Sequence, residues 1–179
     1  MTDRRRILGA VIAGGLSRRF GSDKALAMIG GHSMMAHVVA ALRPQVDGLV
    51  VCGRAWPDTE ALADLREGRI GPLAGLEAAL HFAAEKGFDG VLSIPVDTLP
   101  LPFNLNALLV GNHPTVLRHQ YLIGYWPIYC RSRLSHHIDS GGRSLRSWVE
   151  QSLARLVDEP FAITNINRPS DLEALDGAG

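Results

Sequence analysis

Between Ala13 and Lys24 the chain reads AGGLSRRFGSDK, which places paired glycines, paired arginines, a third glycine and a lysine in one loop after an apolar run. Without Cβ atoms, Gly14 and Gly15 let main-chain amides approach an anion closely. Arg18, Arg19 and Lys24 add charged donors suited to phosphate oxygens. The chemistry this combination serves is the binding of a polyphosphate. Spacing excludes two familiar phosphate loops. A P-loop needs Gly-x-x-x-x-Gly-Lys-Ser/Thr, whereas Gly21 is followed by Ser22 and Asp23, so Lys24 comes two places late. A dinucleotide-binding loop needs Gly-x-Gly-x-x-Gly and an acidic residue closing the second strand, where this chain has Val51, Cys52 and Gly53.

The elements around the loop predict where it stands. ILGAVIA over residues 7–13 is a short β-branched run closed by glycines, which predicts a strand buried on both faces. SMMAHVVAAL over 33–42 predicts a helix stopped by Pro44, and GLVVCG over 48–53 a second buried strand. DTEALADLREG over 58–68 reads as helix. GPLAGLEAALHFAAEKG over 71–87 opens on Gly71-Pro72 and closes on Gly87, both helix punctuation. GVLSIP over 90–95 is a further strand, after which come Val96 and Asp97. TVLRH and YLIGYWPIYC predict two strands able to form a hairpin, RSLRSWVEQSLARL over 143–156 a helix, and PSDLEAL a short terminal helix behind Pro169. His136-His137 and Gly141-Gly142-Arg143 read as a loop before a helix, with the histidines facing solvent. Alternation of this kind predicts an α/β fold, mostly parallel in the first hundred residues and mixed later. In an open sheet of that kind ligands lie outside the carboxyl ends of the strands, which is where the 13–24 loop leaves the first strand.

Bulk properties narrow the function classes. The 179 residues suit one domain over 1–179. Eighteen Lys and Arg balance eighteen Asp and Glu, which argues against a surface built for nucleic acid or an anionic membrane. Arg4-Arg5-Arg6 before ILGAVIA imitates a secretory signal and Arg18-Arg19 a twin-arginine address, but the first apolar run is short and no apolar stretch follows the second. No membrane span, no signal and a cytoplasmic location are expected. Cys52 and Cys130 lie far apart without metal-ligand spacing, which predicts reduced thiols.

Four stations in order resemble the nucleotidyltransferases related to molybdenum cofactor guanylyltransferase (MobA). The family pattern Leu-Ala-Gly-Gly-x-Ser-x-Arg-Met-Gly-x-Asp-Lys meets residues Ile12 to Lys24, with Ile for Leu and Phe20 for Met. GPLAG at Gly71 to Gly75, PVDTLPLP around Asp97, and NINRPSDL from Asn165 complete the set. The resemblance implies a Rossmann-like nucleotide-diphospho-sugar transferase fold, with a mostly parallel central sheet and helices on both faces. It also implies Mg²⁺-dependent transfer of GMP from GTP to the terminal phosphate of molybdopterin, releasing pyrophosphate.

On that resemblance Lys24 and Arg18 meet the triphosphate, and Asp97 holds Mg²⁺, which binds through one or two carboxylates with water and phosphate completing its shell. Taken alone, Lys24 reads as a solvated loop charge and Asp97 as a helix cap. Ile12, Ala13, Gly14, Gly15, Asp64, Gly71, Pro72 and Leu73 are the remaining nucleotide contacts that the resemblance implies. Asp64 stands at the offset of a nucleotide-contacting aspartate, and otherwise as one more solvated helix charge. Asn165 and Asn167 hold the acceptor or the nucleotide, or are Asx-turn residues before Pro169. Relatives often carry Asn where this chain has Cys52, so that any polar nucleotide contact there is weakened or moved to Arg54. Trp126, Trp148 and Tyr125 form either core or a pterin-facing wall. CTP or another phosphate acceptor, and a non-catalytic nucleotide-binding homologue, are the alternatives. A labile product implies handover to a molybdoenzyme or chaperone.

Overall fold

The computed structural model describes residues 4–14, 23–160, 162–166 and 171 of the chain, with the side chains of residues 164 and 165 left out. In chain order the elements begin β1 (Ile7–Ile12), β2 (Met28–Ile29), β3 (His32–Ser33), α1 (Met34–Leu42), β4 (Gly48–Cys52), β5 (Glu60–Leu62), α2 (Pro72–Glu85) and β6 (Gly90–Pro95). They continue β7 (Thr98–Leu99), α3 (Leu105–Leu109), β8 (Thr115–Leu117), β9 (Gln120–Pro127), α4 (Cys130–Asp139), α5 (Leu145–Ser152), β10 (Arg155–Val157) and β11 (Thr164–Asn165). Seven strands form the central sheet in the order β10-β8-β9-β6-β1-β4-β5. Only β9 runs against the other six.

Every residue of β1 is buried, because the pleat sends alternate side chains to two separate cores. Leu8, Ala10 and Ile12 enter the core with α2, α4 and α5, whereas Ile7 and Val11 enter the core with α1 and α3. The expected first and second strands, the helices expected over 33–42 and 71–87, and the hairpin of β8 and β9 stand where the sequence put them. Ser33 caps α1, its hydroxyl accepting from the Ala36 amide at 3.2 Å. Among the described residues no helix is long and apolar enough to cross a membrane. Both cysteines are buried and free.

Three expectations are corrected. Residues 58–68 are not helical: Glu60–Leu62 pair in parallel with Val50–Cys52, so an edge of the sheet overrides the helix preference of Glu, Ala and Leu. The predicted 143–156 helix ends at Ser152, where Leu153 adopts a left-handed conformation (φ 57°) and the chain turns into β10. His136 and His137 lie inside α4, and His137 is buried, its Nδ1 beside Gln151 Oε1 at 2.6 Å. Of the two readings open for Trp126, Trp148 and Tyr125, the structure takes the core: all three are buried, and the Trp126 indole donates to the Ser93 hydroxyl at 2.9 Å. The helix predicted behind Pro169 lies outside the described residues, apart from residue 171.

Candidate active site at the carboxyl edge of the sheet

Four adjacent strands, β6, β1, β4 and β5, end on the same edge, and each delivers one part of the site. Past β1, the Ala13 amide donates to the Cys52 carbonyl at 3.0 Å, so pairing with β4 continues into the loop. Gly53 then takes φ +90°, and a Cβ there would stand 2.4 Å from Gly14 Cα. Two glycines thus let two main chains cross where any side chain would separate them. Ile12 and Leu73, both expected to touch nucleotide, bury their side chains in the core, which leaves their main chains for the edge.

Lys24 and Asp97 meet. The ammonium donates to Asp97 Oδ2 at 2.7 Å, and the Thr98 hydroxyl lies 3.4 Å from Oδ1. The lysine side chain is 12% exposed and the carboxylate 29%, so the pair is accessible on its acidic side. The Asp97 carbonyl accepts the Ile166 amide at 2.8 Å, and Asn165 pairs with Thr98 in the β7–β11 ladder. One expected acceptor residue is thereby brought beside the expected metal carboxylate. Gly15, Arg18 and Asn167 lie outside the described residues.

Asp23 explains how Lys24 is aimed. Its carboxylate caps the turn Lys24–Leu26 through the Ala25 amide and takes both terminal nitrogens of Arg54 at 2.7 Å each. Those hydrogen bonds hold the Asp23 carboxyl below its ordinary range. Arg54, one of the two readings for the position beside Cys52, is held by Asp23 in this structure. Sequence inspection had no signal for this pair, because its members lie 31 positions apart. Changing Arg54 to Met is expected to lower kcat/KM for the nucleotide about 10-fold through loss of aim. Steady-state kinetics and a melting curve check this: the melting temperature should hardly move, since the Asp23 side chain is 47% exposed and such pairs add about 0–1 kcal/mol.

On the far side of the row, Asp64 follows β5 and is exposed. Burial pushes the Cys52 thiol up, and the nearby Asp64 carboxylate pushes it further, to about 12. Cys52 thus remains a neutral thiol beneath the edge. Gly71 takes φ +76° and ψ −153°, a conformation open almost only to glycine, and caps α2 without a side-chain hydrogen bond. Pro72 follows at the first helical position, where its missing N–H costs nothing. Gly75 lets α2 settle on the sheet, because a Cβ there would stand 3.1 Å from Cys52 Cβ and 3.3 Å from Ile12. The Gly-Pro-Leu-Ala-Gly run is therefore helix punctuation and close packing as well as an opening at the edge. It is the strand order that sets Asp64 in one row with Lys24 and Asp97.

A sheet with one reversed strand, and a lysine meeting an aspartate where its parallel strands end, here belong to a nucleotidyltransferase of the nucleotide-diphospho-sugar transferase fold, as the similarities to known proteins show. A crystal structure of molybdopterin-guanine dinucleotide biosynthesis protein A from Archaeoglobus fulgidus superposes with TM-score 0.75 and 23% identity, covering 96% of this chain and 97% of that one. The 2-C-methyl-D-erythritol 4-phosphate cytidylyltransferase of Thermus thermophilus shares the fold at TM-score 0.67 and 14% identity, over 94% of this chain and 96% of its own. In sequence, the molybdenum cofactor guanylyltransferase of Acidiphilium cryptum is 32% identical over 181 positions, spanning 93% of this chain and 92% of that protein. The family model for the MobA-like NTP transferase domain matches residues 9–156, and the chain belongs to that family.

Proposed function

We propose that this enzyme transfers GMP from GTP to the terminal phosphate of molybdopterin, giving the guanine dinucleotide form of the cofactor and pyrophosphate. The observation that carries the reading is the 2.7 Å contact of Lys24 with Asp97 at the carboxyl edge. The name of the A. cryptum relative supports the choice of nucleotide and of the molybdenum cofactor.

In the reaction an oxygen of the acceptor phosphate bonds to the α-phosphorus while the bond from that phosphorus to the pyrophosphate oxygen breaks. Anion meets anion, so positioning and neutralisation dominate. Lys24, with Arg18 from the same loop, takes up the triphosphate, the ammonium turning from Asp97 Oδ2 to phosphate oxygens. Asp97 suits Mg²⁺: its carboxylate is partly open, and among the described residues no group of three or more His, Cys, Asp or Glu forms an all-protein cage. That fits an ion which takes one or two carboxylates and fills its shell with water and phosphate. Bound to Asp97, Mg²⁺ supplies neutralisation of the triphosphate. Three inter-strand steps separate the β6 end from the β5 end, roughly 14 Å at the usual strand spacing. The phosphates accordingly lie at the Asp97 end, and the base at Asp64 and Gly71 to Leu73, with Ala13, Gly14 and Gly15 between. Asp64 offers an acceptor for the donor edge of guanine. The role of holding the acceptor falls to Asn165 and Asn167. A cytoplasmic setting goes with this reading, as does release of the product to a molybdoenzyme or chaperone.

Pyrophosphate release with GTP or CTP, with and without molybdopterin, tests it. Turnover should require GTP, molybdopterin and Mg²⁺ together, and Asp97→Ala should lower it by about 10³-fold while GTP binding stays measurable. A preference for CTP overturns the base assignment, and full turnover by Asp97→Ala overturns the metal role.

A further inference from the structure

Behind the base end of the row stands a cluster of charges that the chemistry does not use. Residues 63–70 connect β5 to α2 in neither helix nor strand, and they carry Asp64 and lead into Gly71. Arg66 sits between the two. Its Nε and Nη2 donate to the two oxygens of Glu77 at 2.7 Å each, and its Nη1 donates to Asp139 at the end of α4. The Ser135 hydroxyl donates to Glu77 Oε1 at 2.6 Å, and Arg66 Nη2 also lies 3.4 Å from the Ser135 carbonyl. Glu77, in the second turn of α2, is 2% exposed.

Burial opposes ionisation of Glu77, yet the hydrogen bonds from Arg66 and Ser135 prevail and hold its carboxyl below the ordinary range. An ion pair so placed is a poor device for stability alone, since apolar residues of similar shape often hold a core equally well. The packing of α2 on the sheet already has Leu73, Leu76 and Leu80, all fully buried. What charge adds is direction: a guanidinium fork accepts a carboxylate in one plane and at one distance. One loop residue is thus locked to two helices at once, two positions after Asp64 and five before Gly71. Ile70, 6% exposed, anchors the same loop by burial but sets no orientation at Asp64.

We infer that Arg66 and Glu77 are positioning residues that hold residues 63–71, and with them Asp64 and the first turn of α2, in place for the nucleoside end of the triphosphate. The inference rests on the reading of this edge as a nucleotide site.

The test is steady-state kinetics on the full chain. Arg66→Met alone strands a buried carboxylate and threatens folding, so the variant of choice replaces both partners, Arg66→Met with Glu77→Met. This pair should melt near the wild type, raise KM for the nucleotide about 10-fold, and keep kcat within about threefold. Asp139→Ala removes only the exposed arm, and should raise KM about two- to threefold with an unchanged melting temperature. In the Asp64→Asn background the paired replacement should raise KM clearly less than it does in the wild type, because part of its effect runs through Asp64. Unchanged KM in the paired variant or in Asp139→Ala, or equal effects with and without Asp64, overturns the inference. A loss of kcat without a change in KM does the same. The kinetics use whichever nucleotide the wild type turns over. A wrong base assignment therefore shows in the wild type, and a wrong clamp shows only in the variants.

Discussion

Replacing Lys24 with methionine is expected to lower kcat about 10³-fold, a loss of ~4 kcal/mol of transition-state stabilisation. Methionine keeps the unbranched apolar stem and removes the ammonium, with its charge and its hydrogen bonds, so the effect isolates the head group. At rest the ammonium sits 2.7 Å from Asp97, and the lysine side chain as a whole is 12% exposed. A cation so shielded interacts strongly with charge that moves onto phosphate oxygens as the α-phosphorus exchanges partners. Folding should suffer little, because Asp97 retains access to water and to Thr98. Single-turnover kinetics with saturating nucleotide, beside a melting curve, measure both quantities. A guanidinium would carry the charge on a broader planar group, and Lys24→Arg is expected to recover only part of the rate. If kcat for Lys24→Met stays within threefold of wild type, the ion pair is structural and the proposed role of Lys24 fails.

The second large effect belongs to a residue with no side chain. Gly53→Ala adds a Cβ 2.4 Å from Gly14 Cα and 2.7 Å from Gly14 N, both main-chain atoms that cannot swing aside. It also forces alanine to φ +90°. The conformational penalty and the overpacking together should cost about 2–5 kcal/mol. For a chain of this size that lowers the melting temperature by roughly 5–15 °C. Relief can come only by parting the carboxyl ends of β1 and β4, which moves Gly14 and the start of the phosphate loop. A shift of about 1 Å there should lower kcat/KM about 10²-fold in the molecules that stay folded. Thermal denaturation and assay well below the melting point separate the two effects. A variant that melts like wild type would show that the crossing of the two strands is not tight.

These predictions show which parts of the molecule could be read from residues alone. The buried strands β1, β4 and β6 were legible because each is a short apolar run closed by glycine or proline. The start of α2 was legible because glycine and proline stand in the order that helix beginnings require. The strand at Glu60–Leu62 was not, because three residues of helix-forming type become a strand only when β4 offers its edge. Likewise α5 stops at Leu153 although the residue type gives no stop signal: β10 is drawn to pair with β8. The exposed reading of His136-His137 failed for half the pair, since the helix period turns one histidine outward and buries the next.

For the site, the residue types carried the chemistry. The glycine-rich loop with its arginines and Lys24 suggested a polyphosphate from residue types alone, whereas Asp97 and the Gly71 run joined it only through the resemblance to a family, because singly they read as a helix cap and helix punctuation. What only the folded chain decided is which of them touch and what aims them. Lys24 reaches Asp97 across 73 positions, Arg54 takes hold of Asp23 across 31, and Arg66 reaches Glu77 and Asp139 on two helices. Local sequence encodes backbone preference and burial, which act over a few residues. The pairing of distant charges follows from strand order, and strand order is settled by how the whole apolar core closes.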